Sequence, residues 1–319
     1  MAYYLVTGGC GFIASHLVEA LVKRNEQVRV FDNCTTGATD NIAAVKDQIE
    51  FINGDLRDCE AVGRAVDGVD YIMHQGALPS VARSVANPIR SNDVNIGGTL
   101  NILVAARDAG VKRVVYAGSS SSYGNLALLP RSENLPSQPA SPYALTKYVG
   151  ECYCRIFTEI YGLETVALRY FNIFGPRQNP NSPYSAVIPR FISAGLIGDP
   201  PTIDGDGEQS RDFTYVANAV HANLLACHAE GAVGTVFNIG CGEQTSINRL
   251  AALIGELMEH KIKPVYAPAR VGDVRHSRAD ISKAQRLLGY QPKVSLKAGL
   301  RETIDWFRHK PMPSYPTAG

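Results

Sequence analysis

The sequence predicts an α/β fold: a doubly wound parallel sheet of the Rossmann type with a smaller C-terminal substrate-binding lobe. Three observations indicate this fold. Short apolar runs alternate with helix-like segments over about the first 170 residues, a glycine-rich turn at residues 8–11 follows the first run, and the alternation stops after Asn172. Near-continuous apolar strands separated by helices are typical of a parallel sheet that helices cover on both faces.

The apolar runs predict the strands in order, and the last of them could return to the sheet after a break. They are Tyr3–Thr7, Val28–Asp32, Ile49–Asn53, Val69–His74, Arg113–Ala117, Thr165–Arg169 and Val236–Ile239. Helices are expected from the glycine turn to about Arg24, over roughly Pro88–Ala109, and from Pro142 toward Tyr161. Pro142 suits the first turn of its helix, because the first amides of a helix have no intrahelical partner.

The second half of the chain is expected to be less regular. Two loops rich in turn-forming residues interrupt it, and an amphipathic helix ends near Trp306. We therefore predict a lobe built from separate stretches of chain. The predicted division is a cofactor-binding Rossmann domain of residues 1–172 with 213–245, and a substrate-binding lobe of residues 173–212 with 246–319.

The composition is that of an ordinary globular protein of 319 residues, with 45% hydrophobic and 19% charged residues. A net charge of +1 gives no indication of a nucleic-acid or membrane partner, although local arginines could bind an anionic small molecule. We find neither a signal-peptide pattern nor an apolar run of about 18 residues, and we expect a cytoplasmic protein. The seven cysteines are irregularly spaced without zinc-like partners, so we expect reduced thiols and no metal site.

The segment Gly8-Gly9-Cys10-Gly11-Phe12-Ile13-Ala14 lies between a predicted strand and a predicted helix, as a dinucleotide fingerprint does. Glycine lets the backbone approach a pyrophosphate and free amides at a helix start stabilise its charge, although a purely structural turn could use the same glycines. Asp32 closes the second strand, where its carboxylate would bind a ribose diol and repel a 2′-phosphate. This arrangement favours NAD over NADP as the cofactor.

Tyr143 and Lys147 are four residues apart and therefore share one face of a helix. A lysine ammonium beside a phenol favours the phenolate and lowers the pKa of the phenol from about 10 toward the working pH. This spacing alone is common. Placed after the fifth strand of a dinucleotide fold and behind the cluster Ser119–Ser122, it predicts an acid/base site for moving a hydride from a carbinol carbon.

Several segments across residues 1–308 match one family pattern. They are Thr7-Gly-Gly-Cys-Gly-Phe-Ile13, Ser119-Ser-Ser-Ser-Tyr-Gly124, Ser141-Pro-Tyr-Ala-Leu-Thr-Lys147, Arg169-Tyr-Phe-Asn172, Asp204-Gly-Asp-Gly-Glu-Gln-Ser-Arg-Asp212 and Gly272-Asp-Val-Arg-His-Ser277. The chain thus resembles the extended short-chain dehydrogenase/reductases that act on nucleotide sugars. Within them it is most similar to the bacterial 4-epimerases of UDP-N-acetylglucosamine and UDP-glucose.

The resemblance implies a role for each matching residue. The catalytic group is Ser119, Ser121, Tyr143 and Lys147. The NAD-binding residues are Gly8, Gly11, Phe12, Ile13, Asp32, Asn33, Asp55, Leu56, Gly76, Asn95, Tyr143, Lys147 and Tyr170. The residues that bind the UDP-sugar are Ser80, Ser120, Asn172, Val187, Arg211, Arg270, Asp273 and Ser277.

Some of these residues have a structural alternative. Asp55 is placed to meet the adenine edge, although a plain turn aspartate is nearly as good an interpretation. Asn95 is either an ordinary polar helix residue or a group that fixes the lysine and the active-site backbone. For Arg211 and Arg270 the alternative to a phosphate contact is a surface ion pair.

Within the family, the resemblance favours epimerisation over elimination. Dehydratases carry an Asp-Glu pair directly after the catalytic hydroxyl and decarboxylases keep a glutamate there, whereas this chain has Ser120 and Ser121. Serine cannot serve as the required acid or base at neutral pH. The implied reaction passes the C4 hydride to NAD⁺ while Tyr143 takes the hydroxyl proton, and the hydride then returns to the opposite face of a 4-keto sugar.

The small Ser277 stands where a bulky side chain would exclude an N-acetyl group, so UDP-GlcNAc and UDP-GalNAc are expected substrates together with UDP-Glc and UDP-Gal. One alternative is a UDP-glucuronate 4-epimerase in which Arg83 or Arg190 faces C6. Others are a nucleotide-sugar reductase and a non-catalytic NAD-binding protein. The resemblance also implies a homodimer formed through the helices around 95–108 and 143–160.

Overall fold

The structure, a computed structural model, describes residues 1–180, 186–259, 262–269 and 274–309. A seven-stranded parallel sheet forms the centre of this part of the chain. The strands of the described residues are β1 (Tyr3–Thr7), β2 (Gln27–Asp32), β3 (Glu50–Asn53), β4 (Tyr71–His74), β5 (Arg113–Ser119), β6 (Glu164–Tyr170), β7 (Ile173–Phe174), β8 (Thr202–Asp204), β9 (Ser210–Arg211), β10 (Thr214–Tyr215), β11 (Thr235–Ile239), β12 (Thr245–Ser246) and β13 (Val265–Ala267).

The order of the central sheet is β3, β2, β1, β4, β5, β6 and β11. The direction in which strands are added reverses between β1 and β4, and ligands of such sheets bind at this reversal, outside the carboxyl ends of the strands. β11 pairs in parallel with β6, with Thr235 opposite Val166, which confirms the predicted return of this strand to the sheet. The predicted doubly wound α/β fold is confirmed.

Helices cover both faces of this sheet. The α-helices of the described residues are α1 (Phe12–Val22), α2 (Cys59–Val66), α3 (Val81–Ala86), α4 (Pro88–Asn92), α5 (Gly98–Asp108), α6 (Pro142–Tyr161), α7 (Val187–Ile197), α8 (Val216–His228), α9 (Ile247–Met258), α10 (Ser282–Leu288) and α11 (Leu296–His309). 3-10 helices cover Thr39–Gln48, Ser120–Tyr123 and Glu230–Ala232. Across the described ranges, no helix has the length and apolar character needed to cross a membrane.

The long helix predicted over Pro88–Ala109 is present but interrupted. A π-helical turn at Asp93–Gly97 separates α4 from α5. Such turns are frequent at functional sites because they change the direction in which side chains project, and this one carries the buried Asn95. The sequence patterns did not indicate α2. Asp58 caps the start of this helix, because its side chain accepts hydrogen bonds from the backbone amides of Glu60 and Ala61.

Separate apolar cores lie on the two faces of the sheet. One core joins β1 to α1 and α8 and includes Leu17, while the other joins β5 to α2, α5 and α6 and includes Ile102. A further core joins α7, α9 and α11 and includes Phe191 and Leu250. The sheet is therefore buried on both sides, as its near-continuous apolar strands predict.

The division into a cofactor domain and a lobe stays a prediction. One segment assigned to the lobe packs against the central sheet instead. Ala284 and Leu288 on α10, with Tyr290, belong to the core of the central sheet, although the predicted lobe includes residues 246–319. The Tyr290 hydroxyl donates a hydrogen bond to the carbonyl of Gly240 at 2.9 Å. This segment therefore packs against the sheet because its apolar side chains complete the core beside β11.

Candidate active site

The glycine turn between β1 and α1 has no room for a side chain at Gly8. Gly8 has φ +67°, and a Cβ atom added there would lie 2.7 Å from the Cα atom of Gly76. Two backbones therefore meet at the carboxyl ends of β1 and β4. Gly11 precedes α1 without a side-chain cap, so the amides at the helix start, which include those of Phe12 and Ile13, suit an anion. This cradle fits the pyrophosphate of a dinucleotide.

Asp32 ends β2 beside the glycine turn. Its carboxylate accepts hydrogen bonds from the backbone amides of Cys10, at 2.9 Å, and Cys34, at 2.8 Å. Burial raises the pKa of Asp32, and these amide hydrogen bonds oppose the rise. The carboxylate thus joins the glycine turn to the loop after β2, which is the position expected for a ribose contact in a dinucleotide fold.

Asp55 and Asn33 form a polar cluster after β3 and β2. Arg57 donates to both carboxylate oxygens of Asp55, at 3.0 and 2.8 Å, and the Asn33 amide donates at 3.0 Å. The hydrogen bond from the Arg57 side chain lowers the pKa of Asp55 to about 2. This engagement fits the turn-aspartate alternative, and the adenine contact of Asp55 stays a prediction. Leu56 is buried against Gly98. A Cβ atom added to Gly98 would lie 2.7 Å from the Cβ atom of Leu56.

Helix α6 carries Tyr143 and Lys147 to the carboxyl end of β5. Ser141 caps the helix start with its side chain, and Pro142 occupies the first turn as predicted. The Lys147 ammonium is buried and donates to the carbonyl of Ala117, on β5, at 2.8 Å. Tyr143 and Lys147 therefore face the sheet from one side of the helix, as their spacing predicts.

Burial dominates the protonation of this pair. It lowers the pKa of Lys147 to about 8, although the charge of Glu151 opposes the change. It raises the pKa of Tyr143, which a hydrogen bond with the Ser119 side chain opposes. The pKa of Tyr143 is therefore raised and not lowered as its spacing from Lys147 predicts, because burial is the largest cause of the shift.

The serine cluster begins on the last residue of β5 and continues into the 3-10 helix Ser120–Tyr123. Ser119 Oγ accepts hydrogen bonds from the Ser121 hydroxyl at 2.8 Å and from the Ser121 amide at 3.2 Å. Because a hydroxyl has two lone pairs and one proton, Ser119 keeps its own proton for Tyr143 or for a ligand oxygen. Ser120 is half-buried beside it, whereas Ser122 is buried away from this group.

Asn95 links the loop after β4 to the catalytic helix. Its side-chain oxygen accepts the Leu78 amide at 2.7 Å, and its side-chain amide donates to Thr146 Oγ1 at 3.1 Å. Thr146 directly precedes Lys147 in α6. These buried contacts support the interpretation in which Asn95 fixes the backbone around the lysine.

Tyr170 ends β6 and is held by two residues that the sequence patterns did not single out. Its hydroxyl donates to the side-chain oxygen of Gln75 at 3.1 Å and accepts from the side-chain amide of Asn223 at 2.7 Å. Burial raises the pKa of Tyr170 to about 12, so its hydroxyl stays protonated. Gln75 and Asn223 are far from Tyr170 in sequence, and no local motif marks them.

A cavity of about 420 Å³ contains three of the predicted substrate residues, Asn172, Val187 and Arg211. Its wall also includes Arg190 and Gln209, of which Gln209 was not among the predicted residues. The wall includes one carboxylate, that of Asp204, and apolar or small side chains: Val81, Phe174, Phe191, Thr202, Ile203 and Phe213. A wall that combines apolar side chains with two guanidinium groups and two amides suits a ligand with a flat ring and anionic groups, provided that the anionic groups lie on the arginine side and away from Asp204.

Two other predicted substrate residues, Ser80 and Ser277, are described but are not among the residues that line this cavity. Ser80 caps α3 by accepting the Arg83 amide at 3.3 Å, with the uncommon φ of +108°. Ser277 is buried, and its amide donates to the carbonyl of Ser210 at 3.0 Å, one residue before Arg211. Arg270 and Asp273 fall outside the described residues.

Comparison with known proteins identifies a family pattern over most of the chain. The sequence model of the NAD dependent epimerase/dehydratase family matches residues 4–240. A putative UDP-glucose 4-epimerase of Methanocaldococcus jannaschii is 39% identical over 307 residues, which cover 96% of this chain and 98% of that protein.

Two solved structures have closely similar folds. The UDP-N-acetylglucosamine 4-epimerase of Methanobrevibacter ruminantium, in complex with UDP-N-acetylmuramic acid, is 41% identical with a TM-score of 0.92 and covers 96% of this chain and 98% of its own. The UDP-glucose 4-epimerase of Thermotoga maritima, with UDP-glucose, is 39% identical with a TM-score of 0.92 over the same shares, 96% and 98%. The similarity thus extends through both the sheet and the residues around the cavity.

Proposed function

The chain belongs to the NAD dependent epimerase/dehydratase family, and from this membership we propose that it inverts C4 of a UDP-sugar through a 4-keto intermediate. The observation that carries the proposal is the contact of Tyr143 with Ser119, with Lys147 one turn further along the same buried helix face. This group lies at the same edge of the sheet as the cradle formed by Gly8 and Gly76. NAD is the cofactor of the family, and the cradle fits its pyrophosphate.

Each side chain of the catalytic group has a task in the proposed reaction. Bound NAD⁺ supplies the acceptor for the C4 hydride and its return. Tyr143 takes the proton of the C4 hydroxyl as hydride leaves, and gives it back to the epimer. Ser119, which accepts two hydrogen bonds from Ser121, donates its own proton and so orients the sugar oxygen. We propose that the positive charge of Lys147, one turn further along the helix, opposes the burial of the Tyr143 phenol and favours the phenolate as the proton is taken.

The serines after Ser119 support epimerisation rather than elimination of water. Elimination needs an acid and a base next to the sugar, in addition to the tyrosine. Ser120 and Ser121 occupy the first turn after β5, and neither hydroxyl ionises near neutral pH. Epimerisation requires no further proton-transfer group, because the proton and the hydride both return to the sugar.

The cavity lined by Asn172 and Arg211 supports a nucleoside diphosphate as the ligand. Arg211 provides a guanidinium fork of the kind that binds phosphate oxygens in pairs, and Asn172 provides an amide. We propose that UDP-GlcNAc and UDP-GalNAc are substrates together with UDP-Glc and UDP-Gal, because Ser277 is small. The solved relatives were obtained with both a plain and an N-acetylated UDP-sugar.

A second candidate substrate, UDP-glucuronate, is favoured by one observation. Arg190 lines the same cavity as Arg211 and could bind the carboxylate at C6. The catalytic group would be unchanged, so only a substrate comparison separates the two candidates. A reductase would instead release NADH at each turnover, and a non-catalytic protein would give no epimer.

Two exposed apolar side chains of α6 support a homodimer. Leu145 and Ile160 are 48% and 68% exposed, they lie about 60° apart around the helix axis, and α5 packs beside this helix. Large exposed apolar side chains on one side of a helix are typical of protein interfaces. We propose that α5 and α6 pair with the same helices of a second copy about a two-fold axis.

The proposed function is tested with purified protein that receives no added cofactor. UDP-Glc, UDP-GlcNAc and UDP-glucuronate are incubated separately, and C4 epimers are resolved by proton NMR. We expect epimers from the first two, complete loss of turnover in Tyr143→Phe with NAD still bound, and full activity in Tyr161→Phe, an exposed tyrosine of the same helix. Turnover by Tyr143→Phe, or the absence of any epimer after NAD is supplied, would contradict the proposal.

A further inference from the structure

Glu151 continues the catalytic face of α6. It lies four residues after Lys147 and eight after Tyr143, so all three side chains project from one side of the helix. Its carboxylate is buried, with 2% of the side chain exposed, and pairs with Arg169 of β6, which is 5% exposed. Arg169 Nε lies 3.1 and 2.9 Å from the two carboxylate oxygens, and Nη2 lies 2.7 Å from one of them.

The carboxylate of Glu151 lies directly beneath the serine cluster. A Cβ atom added to Gly118 would lie 2.8 Å from Glu151 Oε1, so only glycine leaves room for the carboxylate at this point of β5. The Ser122 hydroxyl donates to the same oxygen at 3.5 Å. The ion pair therefore contacts the strand that ends in Ser119, and it joins β5, β6 and α6 under the catalytic group.

A buried ion pair is a poor device for stability alone. Removing both charges from water costs several kcal/mol per ion, and well-packed apolar residues of similar volume often serve equally well. Burial raises the pKa of Glu151, which shows this cost, and Arg169 opposes the rise. We propose that Glu151 and Arg169 are a positioning pair that keeps Lys147 charged and in place beneath Tyr143, and this inference rests on the proposed function.

The direction in which the pair shifts the pKa of Lys147 follows from the charges around this residue. The titratable groups nearest to it are Tyr143, Glu151 and Cys154 on α6, Tyr116 on β5, His74 on β4 and Arg169 on β6. The neighbouring helices α3, α4 and α5 and the π-helical turn carry Arg83, Arg90, Arg107, Asp108 and Asp93. His74 is neutral, because burial lowers its pKa to about 3. Glu151 is thus the negative charge that favours the ammonium of Lys147, and Arg169 holds the Glu151 carboxylate in place.

Each single substitution should therefore lower the pKa of Lys147. Glu151→Gln removes the negative charge, and we expect the pKa of Lys147 to fall by about one unit. Arg169→Met removes the guanidinium that opposes the rise in the pKa of the buried Glu151, so this carboxyl takes up a proton and the pKa of Lys147 should fall in the same direction. The double variant should show no larger fall than Glu151→Gln alone. Glu164→Gln, in the pair with Arg113 at the opposite end of β5 and β6, is the control and should not move the pKa of Lys147.

The measurement has two readouts on the full-length holoenzyme. Lysine Cε NMR, with the Lys147 signal identified by its loss in Lys147→Arg, gives the pKa of Lys147 without any turnover. The pH dependence of kcat for UDP-Glc gives the alkaline limb, which should move by the same amount and in the same direction. Lost stability alone would lower activity in both single variants without shifting the pKa of Lys147.

The two readouts separate a failure of this inference from a failure of the proposed function. Downward shifts of the Lys147 pKa in both single variants, with alkaline limbs that move to match, support the positioning pair. No shift, or an upward shift, in either single variant overturns it whatever the activity. If the variants shift the pKa of Lys147 but the wild-type protein gives no epimer from any UDP-sugar, the electrostatic role of the pair is retained and its role in epimerisation is rejected.

Discussion

Replacing Gly8 by alanine should disrupt the cofactor site through a single methyl group. Gly8 lies in the turn after β1, at φ +67°, and the new Cβ would lie 2.7 Å from Gly76 Cα and 2.9 Å from Gly76 N. These are backbone atoms at the end of β4, so they cannot move aside as a flexible side chain would. The methyl group would push apart the two backbone segments that form the cradle for the pyrophosphate.

The expected loss of stability in Gly8→Ala has two parts. A left-handed backbone costs an alanine about 1–2 kcal/mol, and an extra methyl in a filled site costs about 1–3 kcal/mol. We therefore expect Gly8→Ala to lower the free energy of unfolding by about 2–5 kcal/mol. A loss of about 1.4 kcal/mol in binding corresponds to a tenfold weaker NAD affinity, and the displaced cradle should lose at least that much.

Gly68→Ala is the matched control for this prediction. Gly68 has φ +73°, but a Cβ atom there has no neighbour within 4 Å, so only the backbone cost of about 1–2 kcal/mol applies. Urea unfolding gives the two stabilities, and isothermal titration calorimetry gives the NAD affinities. Gly68→Ala should bind NAD like the wild type. If Gly8→Ala were as mild as Gly68→Ala in both assays, the close approach of Gly8 to Gly76 would not be what the cofactor site requires.

Three further predictions follow from the site and its surface. Burial lowers the pKa of Lys147 to about 8, so the ammonium is present below that pH and kcat should fall as the pH rises through about 8; a flat alkaline profile would contradict the role of the charge. Ser277→Tyr should reduce kcat/KM for UDP-GlcNAc at least tenfold more than for UDP-Glc, and equal losses in the two assays would reject Ser277 as the wall of the sugar pocket. Replacing Leu145 and Ile160 together by glutamate should halve the mass measured by light scattering, whereas an unchanged mass would place the dimer interface elsewhere.

Local rules predicted the catalytic helix and the sheet closely. Ser141, Pro142 and the four-residue spacing of Tyr143 and Lys147 all act within one or two turns of helix, and α6 spans Pro142–Tyr161 as expected. The strands followed from continuous apolar runs, with β5 extending two residues further than predicted, to Ser119. These features depend on neighbours in sequence, which is why sequence patterns find them.

Features that depend on contacts between distant segments could not be predicted in the same way. The bond of Lys147 to the Ala117 carbonyl and the burial of the lysine depend on how α6 packs against β5. The burial that this packing produces lowers the pKa of Lys147, and the charge of Glu151 opposes the change. The same limit applies to Gln75 and Asn223, which bind Tyr170 across large sequence separations.

The transient transfer of a hydride from C4 and its return to the same carbon is the central claim, and isotope retention tests it most directly. UDP-glucose deuterated at C4 is incubated with the holoenzyme in ordinary water, and the product is examined by NMR and mass spectrometry. We expect UDP-galactose that keeps its deuterium at C4, with no solvent hydrogen at that carbon and no net consumption of NAD⁺. Product that has exchanged the label with water, or label that leaves in released NADH, would contradict the mechanism.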